Sequence, residues 1–277
     1  MTTSAVVIKD SISSSGHRLT TMQLRYPRFI HAEFMTHRLF SRNASSSRAI
    51  PVEKLIQDME REIASPVWWG KNQPGMQANE ELEASVKSQA KACWSEAADE
   101  AMYWAQTLHN LGAHKQIVNR LLEPFSHINV VVSATEWDNF YALRRHKDAQ
   151  PEIHELADRM WEAQQASAPT LLKPGEWHLP YVDEADYNAL NTASDETLKT
   201  DSDVRNLIKL SVARCARVSY LTHEGKKPNP AEDLKLYDRL VGSVQLHASP
   251  CEHQATPYHG WHANFQGWRQ HRKQVEE

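Results

Sequence analysis

Residues 17–48 read HRLTTMQLRYPRFIHAEFMTHRLFSRNASSSR, and both the fold and the candidate site depend on this stretch. It contains six arginines and one acidic residue, Glu33, in a chain whose net charge is −4. From Ser41 to Arg48, serine and asparagine side chains are interleaved with arginines. Arginine presents a planar fork of donors to phosphate oxygens, and serine hydroxyls add shorter contacts. Composition leaves two interpretations open, a phosphate-binding segment or a solvated polar loop, because serine-rich loops are common.

Strands and helices are predicted on both sides of this basic segment. Residues 17–26 alternate polar with apolar side chains and end at Pro27, and residues 125–133 carry a β-branched run, so both are predicted strands. Residues 28–40 fit either a helix or an irregular turn. Further helices are predicted over residues 52–64, 80–111 with Cys93 on a buried stripe, 114–122, 134–167 with a break at Gln150-Pro151, 202–217, and 230–246 with Asn229 as N-cap.

The rest of the C-terminal half has weaker patterns. Residues 171–180 are predicted to form a loop. Residues 183–203 carry seven acidic residues against one lysine, which indicates a surface excursion. The tail, residues 248–277, is rich in histidine, tryptophan and arginine and has no clear period. We expect a single domain over residues 1–277, in which residues 171–205 form a linker or surface excursion.

Composition narrows the class of protein. Hydrophobic residues make up 40% of the chain and charged residues 24%, as in an ordinary soluble globular protein. No run approaches the roughly 18 apolar residues of a membrane span. The acidic net charge argues against a general nucleic-acid binder. The N-terminus does not resemble a signal peptide, and three widely spaced cysteines suit a reducing compartment. We therefore expect a cytoplasmic protein with no membrane or nucleic-acid partner.

The basic segment resembles the signature of the flavin-dependent thymidylate synthases, R-H-R-x-x-S-x-N-E-x-S-x-R-Y. Pro27 lies ten residues before His37, as the proline of that family does. Thr36, Ala44 and Ala49 replace the Arg, Glu and Tyr of the signature, and Glu33 stands where the family has Gln. The residues on matching positions are His37, Arg38, Ser41, Asn43, Ser46 and Arg48.

Two further stretches resemble the same family. Residues 139–153 contain N-F-Y-A-L-R and A-Q-P-E-I, similar to N-F-x-x-L-R and A-Q-x-E-I, and residues 112–124 resemble a family helix that ends in R-x-x-L-P. The resemblance implies that Arg144 is catalytic, contacting the uracil ring and helping to ionise it. It also implies that Asn139 binds flavin and that His37 and Arg38 are cations near the pyrimidine edge of the flavin. The nucleotide and its phosphate are implied to bind at Ser46, Ser47, Arg48 and Arg120.

A fourth match is out of order. Residues 213–220, ARCARVSY, and 247–253, HASPCEH, resemble A-R-V-S-Y and H-x-[ST]-P-F-E-H, which precede the R-H-R motif in the family. We interpret this as a circular permutation, with the old termini joined near 170–205 and a new break before His17. The resemblance then implies that Ser249 contacts flavin and that His247 lies near the folate site. Gln270 and Arg272 are candidates to replace the lost Gln and Arg, although a basic surface helix is an equal alternative.

The resemblance implies an α+β fold, with a twisted antiparallel-rich sheet flanked by long helices, and a homotetramer with shared active sites. It implies methylation of dUMP with FAD, NADPH and 5,10-methylenetetrahydrofolate, in a bacterial or bacteriophage-encoded enzyme. Two alternatives stay open: methylation or hydroxymethylation of dCMP, and a non-catalytic nucleotide-binding relative. His253, His259 and His262 lack a cysteine or carboxylate cluster to complete a zinc site, so we expect no metal.

Overall fold

The computed structural model describes residues 3–190, 201–218, 229–242 and 246–276, which form a mixed α and β fold. No helix within these ranges combines the length and apolarity needed to cross a bilayer. The strands are β1 (Ser4–Ser13), β2 (Arg18–Pro27), β3 (Ser41–Ala44), β4 (His127–Ala134), β5 (Thr170–Leu172), β6 (Ala255–His262) and β7 (Phe265–Gln270). The α-helices are α1 (His31–Phe34), α2 (Val52–Arg61), α3 (Ala84–Asn110), α4 (Lys115–Val118), α5 (Asp138–Arg144), α6 (Pro151–Gln165), α7 (Glu184–Leu190), α8 (Asp201–Ala216), α9 (Pro230–Val241) and α10 (His271–Glu276).

The larger sheet has five strands in the order β3-β4-β2-β1-β5. All its pairings are antiparallel except that of β1 with β5, which is parallel. β2 and β4, the strands predicted from alternation and from the β-branched run, lie side by side at its centre. The expected α+β fold with an antiparallel-rich sheet is therefore confirmed. β6 and β7 form a separate two-stranded sheet.

The two faces of the larger sheet bury different kinds of side chain. One face packs aliphatic residues of β2 and β4 against aromatic residues of α1 and α5 and the apolar stripe of α6. The opposite face meets α8 and a short 3₁₀ turn, Ser249–Glu252, and holds Val131 and Cys215 in a smaller cluster. Successive side chains of a strand point to opposite faces, so adjacent residues of β2 serve different surroundings. Residues 36–48, which resemble the family signature, are called the signature segment. This segment reaches the edge of the sheet as β3.

Several predicted elements are confirmed with shifted ends. α8 and α9 match the predicted helices, and Asn229 accepts a hydrogen bond from the amide of Ala231, as an N-cap does. The predicted helix at 134–167 is divided into α5 and α6 before Pro151. Residues 243–245 of the predicted last helix, together with Ser219 and Tyr220 of the displaced motif, lie outside the described residues.

Other predictions are wrong. The helix predicted over 114–122 is one turn, α4, and the loop predicted from residue 171 begins inside β5. β1, β3 and the β6–β7 hairpin were not predicted. Cys93 is exposed rather than in the core, because α3 packs through Trp94, Ala98 and Ala105, and Cys93 lies off that stripe. The acidic stretch is not wholly a surface excursion, since Asp186 is buried against Arg214.

Candidate active site

The signature segment is divided into three parts by its fold. His37 and Arg38 lie in the turn before β3, residues 41–44 form β3, and Ser45 to Arg48 follow it. β3 pairs with β4, so the segment is fixed to the sheet rather than left as a free loop. Four strand residues separate the two ends by roughly 13 Å. The segment therefore presents two separate groups of polar side chains, one at each end of a rigid strand.

Arg144 and His37 meet at the first end, although they are far apart in sequence. Nε of Arg144 donates to Nε2 of His37 at 2.9 Å, and an Nη group donates to the Thr36 hydroxyl at 3.2 Å. Arg144 ends α5, and Phe140 of the same helix packs edge-on against the His37 ring at 4.8 Å. Thr36 stands at the position of the lost signature arginine, and it accepts from an arginine of another motif. Sequence reasoning missed this role, because a lone threonine gives no signal.

His37 is neutral in this arrangement. Burial and, to a smaller extent, the Arg144 and Arg42 guanidinium groups lower the pKa of His37 to about 4. Because Nε2 accepts from Arg144, the remaining proton lies on Nδ1. The positive charge at this end therefore comes from Arg144 and Arg38. Arg38 is exposed and has no hydrogen-bond partner among the described residues.

Arg42, the middle arginine of the segment, has a structural role. One of its Nη groups donates to the backbone oxygens of Phe34, Met35 and His37, at 3.2, 3.1 and 2.9 Å. These bonds hold the end of α1 and the turn that carries His37. Arg42 therefore shapes the turn through this Nη group.

The second end of the segment lies beside the turn that follows α4. Oε1 of Glu123 accepts from the Ser47 hydroxyl at 2.6 Å and from an Nη of Arg120 at 2.8 Å. Burial alone would raise the pKa of Glu123, but these two bonds and the nearby Arg28 guanidinium hold it below its ordinary value. Ser46 and Arg48 are exposed, and Ser47 is buried. The structure thus brings Ser47 and Arg120 together on the carboxylate of Glu123.

The displaced motif packs against β3. The Asn43 amide, in the orientation that satisfies its surroundings, donates to the backbone oxygens of Arg42 and Ser249 at 3.0 and 3.2 Å. His253, at the end of the motif, is fully buried and lies 3.4 Å from the same amide. The side chains of His247 and Ser249 are exposed. Two stretches about two hundred residues apart therefore meet.

The tail also reaches the signature segment. Nε2 of Gln270 donates to the Ser41 hydroxyl at 3.1 Å, and Nδ2 of Asn264 donates to the Leu39 backbone oxygen at 2.9 Å. Arg272 instead pairs with Glu252 at 2.5 Å and with Glu276 at 2.6 Å. Gln270 therefore supports the segment, whereas Arg272 belongs to the short helix α10.

A cleft of about 1480 Å³ opens beside Arg144. Its wall includes Glu33, and the Oε2 atom of Glu33 is buried with no hydrogen-bond partner among the described residues. Glu152, in the A-Q-P-E-I stretch, accepts from the amide of Val67 at 2.8 Å and holds the loop that forms the opposite wall. Aromatic side chains, Phe29, Trp68 and Trp94, complete the wall. The cleft joins these aromatic side chains to several charged groups, which include Arg144, Arg159 and the unpartnered carboxylate oxygen of Glu33.

Asn139 lies exposed in the first turn of α5, on the helix that ends at Arg144.

Among the described residues, no group of three or more His, Cys, Asp or Glu side chains is arranged to hold a metal ion. His253 is instead bonded to Ser133 at 2.8 Å.

The model of a family described as thymidylate synthase complementing protein matches residues 11–170. That range contains the signature segment, Arg120, Asn139 and Arg144, whereas His247, Ser249 and the tail lie beyond it. No curated protein matches the chain.

Three solved structures are similar to the chain. A UMP/dUMP methylase, PolB, from Streptomyces cacaoi bound with 5-Br UMP is 18% identical over 58% of this chain and 88% of that chain, with a TM-score of 0.48. The same methylase bound with 5-Br dUMP is 16% identical over 58% and 89%, with a TM-score of 0.47. Thymidylate Synthase X from Helicobacter pylori with FAD and dUMP is 14% identical over 53% and 67%, with a TM-score of 0.38.

Proposed function

The chain belongs to the thymidylate synthase complementing protein family, and from that premise we propose that it is a flavin-dependent thymidylate synthase. In this proposal it methylates C5 of dUMP with 5,10-methylenetetrahydrofolate, FAD and NADPH. The observation that carries the proposal is the bond of 2.9 Å between Arg144 and His37, which joins two separate motifs of the matched range. The proposal also includes a cytoplasmic homotetramer with shared sites.

Arg144 is the catalytic residue of this proposal. Its Nη groups lie at the edge of the cleft, and its Nε is fixed by His37. A guanidinium held in one orientation stabilises negative charge on a uracil ring without reorganising during the reaction. His37 holds the donor because it is neutral and offers Nε2 as an acceptor. Arg144 thus acts on the ring, and His37 and Thr36 orient it.

The phosphate of dUMP is assigned to the second end of the signature segment. Arg48 is exposed, and Arg120 keeps part of its guanidinium exposed while Glu123 holds its Nη. Arg28 adds a third positive charge behind them. In this proposal Ser46 donates its hydroxyl directly to the phosphate, and Ser47 acts by fixing Glu123.

The exposed polar residues around His37 suit a flavin. Arg38 supplies an exposed cation, and Asn139 and Ser249 supply hydrogen-bonding groups on two different elements. When bound, FAD would supply the hydride chemistry of the reaction. The protein residues bind and orient it, and a cation beside its pyrimidine edge favours the reduced, anionic form. The apolar cleft wall offers a surface for a planar ring of the folate.

The experiment that tests the proposal uses the purified full chain. We expect a yellow protein with flavin absorbance that forms dTMP from dUMP when methylenetetrahydrofolate and NADPH are added. Tritium release from C5 of labelled dUMP provides a second measurement. A colourless protein that binds dUMP without product would favour a non-catalytic nucleotide-binding relative. Absence of flavin, dUMP binding and product would overturn the proposal.

The phosphate assignment predicts a selective loss of affinity. Replacing Arg120 or Arg48 with alanine is expected to weaken dUMP binding by about 10- to 100-fold, the usual effect of losing a charged hydrogen bond. Binding of deoxyuridine, which has no phosphate, is expected to change little. Calorimetric Kd values for both ligands make the measurement. Arg61→Ala is the control, because Arg61 lies on α2 beside Asp58, where we assign no ligand contact. Equal losses for dUMP and deoxyuridine would contradict the assignment.

A second candidate function is favoured by Glu33. The 4-amino group of cytosine could donate to its unpartnered Oε2, whereas O4 of uracil could not. A related enzyme acting on C5 of dCMP, by methylation or hydroxymethylation, is therefore the alternative. Product analysis with dUMP and dCMP separates the two.

The substitution Glu33→Gln tests which base edge faces this residue. A glutamine amide can donate to O4 of uracil, so the ratio of kcat/KM for dUMP over dCMP is expected to rise by about tenfold or more. Glu155→Gln is the matched control, since Glu155 lines the same cleft. A ratio equal to that of the unaltered protein would remove Glu33 from base recognition.

A further inference from the structure

A continuous chain of hydrogen bonds crosses the larger sheet on the face that meets α8. Ser11 Oγ lies 2.9 Å from Nδ1 of His178, and Nε2 of His178 lies 2.8 Å from Oγ1 of Thr21. The Thr21 and Ser133 hydroxyls are 2.6 Å apart, and Ser133 Oγ lies 2.8 Å from Nδ1 of His253. Nε2 of His253 faces the Asn43 amide at 3.4 Å. We call these six residues the polar chain.

The polar chain is built into the interior. Ser11, Thr21, Ser133, His178 and His253 each have 0% exposure. Thr21 and Ser133 are direct partners in the pairing of β2 with β4. His178 enters from the segment after β5, where its backbone pairs with Ala255. Both histidines lie outside the range matched by the family, so residues 171–277 complete a network within the matched sheet.

The surroundings of the polar chain fix the direction of hydrogen-bond donation at His253. Burial lowers the pKa of His253 to about 3, and it also lowers the pKa of His178, so both rings are neutral. A neutral imidazole has one donor and one acceptor nitrogen. Asn43 decides which nitrogen of His253 carries the proton, because the Asn43 nitrogen faces the backbone oxygens of Arg42 and Ser249 and also faces Nε2 of His253.

The outcome is one consistent arrangement. Nε2 of His253 faces the Asn43 nitrogen and therefore carries no proton, so Nδ1–H of His253 donates to Ser133. With the Ser133 hydroxyl donating to Thr21 and the Thr21 hydroxyl donating to Nε2 of His178, Nδ1–H of His178 donates to Ser11, and each ring then has one donor and one acceptor nitrogen. The opposite direction would place the Asn43 oxygen against two carbonyl oxygens, which is repulsive.

We propose that His178 is a positioning residue of the active site, acting through Thr21, Ser133 and His253 on the Asn43 amide. Asn43 ties β3 to the Ser249 backbone, so the polar chain aligns the signature segment with the displaced motif. The effect on ligand binding rests on the function proposed above. The alignment itself does not, because it concerns contacts within the protein.

Thr21 offers a matched pair of variants to test this inference. Thr21→Val keeps the shape of the side chain and removes the hydroxyl, whereas Thr21→Ser keeps the hydroxyl. Thr20→Val is the control, because Thr20 is equally buried and bonds Asp10 and Gln164 on the other face of β2. His178→Phe breaks the chain at its far end. Full-length protein is used throughout.

Three measurements decide the outcome. ¹⁵N shifts of the His253 ring are expected to show Nδ1–H in the unaltered protein and in Thr21→Ser and Thr20→Val, and a mixture of tautomers in Thr21→Val. Amide hydrogen exchange at residues 41–44 and 249–252 is expected to rise by about tenfold or more in Thr21→Val and His178→Phe only. The FAD Kd is expected to rise in the same two variants.

Each outcome is informative. An unchanged His253 tautomer and unchanged exchange in Thr21→Val would overturn the inference, as would equal effects in Thr20→Val. Altered exchange with an unaltered FAD Kd would also overturn the positioning role. If the unaltered protein binds no FAD, the proposed function fails, while the tautomer and exchange measurements still decide whether the polar chain aligns β3.

Discussion

Replacing Arg144 with alanine is expected to lower kcat/KM for the nucleotide by about 10²- to 10³-fold, the usual loss when one preorganised donor to a developing negative charge is removed. The size of the effect follows from the way Arg144 is held. Nε is fixed by His37 and one Nη by Thr36, so the guanidinium has one orientation before substrate arrives. Arg144→Lys is expected to recover little, because one ammonium cannot reproduce the planar fork.

Arg145→Ala provides the matched control. Arg145 is the next residue, but it pairs with Asp158 at 2.7 Å and stacks on the Trp161 ring at 4.2 Å. We expect its loss to leave kcat/KM nearly unchanged. Similar losses in both variants would indicate damage to α5 rather than loss of a catalytic donor.

Arg144→Ala has a second consequence that does not depend on catalysis. Burial is the main cause of the low pKa of His37, and the Arg144 charge lowers it further. Removing that charge is expected to raise the pKa of His37 toward its ordinary value. Titration of the His37 ring by NMR measures the change, with Arg145→Ala again as control. An unchanged pKa would show that Arg144 and His37 do not meet in solution.

Sequence patterns predicted the parts of the fold in which one local signal dominates. β4 has a β-branched run, β2 has alternation with a terminal proline, and α9 has a complete N-terminal cap. β3 has none of these signals. Its residues, S-R-N-A, resemble a polar loop, and only pairing with β4 makes them a strand. The β6–β7 hairpin was missed for a similar reason, since its polar and aromatic residues do not alternate clearly.

The candidate site was predictable to the extent that short motifs identify residue types. The motifs indicated that His37, Arg144 and Ser249 belong to one site, and the structure places Arg144 on His37 and the Ser249 backbone on Asn43. They did not indicate the charge of His37, because that depends on burial and on two arginines. The role of Glu123 was also hidden, since it depends on a fold that brings Ser47 and Arg120 to the same carboxylate.

Arg214, in the stretch that resembles A-R-V-S-Y, shows a different limit of motif reasoning. Its side chain is 1% exposed and makes two bonds to Asp186, at 2.5 and 2.8 Å, and one to Asp233 at 3.0 Å. A further Nη bond reaches the Tyr181 backbone oxygen at 2.7 Å. Arg214 therefore links α7, α8 and α9 and does not face the cleft beside Arg144.

Arg214→Leu is accordingly expected to reduce the free energy of unfolding by about 3–5 kcal/mol, because it leaves two buried carboxylates without their main partner. Arg217 still pairs with Asp233, so the unpaired charge is concentrated at Asp186. Denaturant unfolding followed by circular dichroism measures the change. Lys209→Ala is the control, since its pair with Asp238 lies at the surface and is worth less than about 1 kcal/mol.

The double variant Arg214→Leu, Asp186→Leu decides whether buried charge is the cause. Removing the Asp186 carboxylate removes the unpaired charge, so the double variant is expected to be more stable than Arg214→Leu alone. If the lost packing of the long arginine side chain dominated, the second substitution would destabilise the protein further. A loss below about 1 kcal/mol for Arg214→Leu would mean that the three helices do not depend on this ion pair. In that case the acidic stretch would be the surface excursion that its composition indicated.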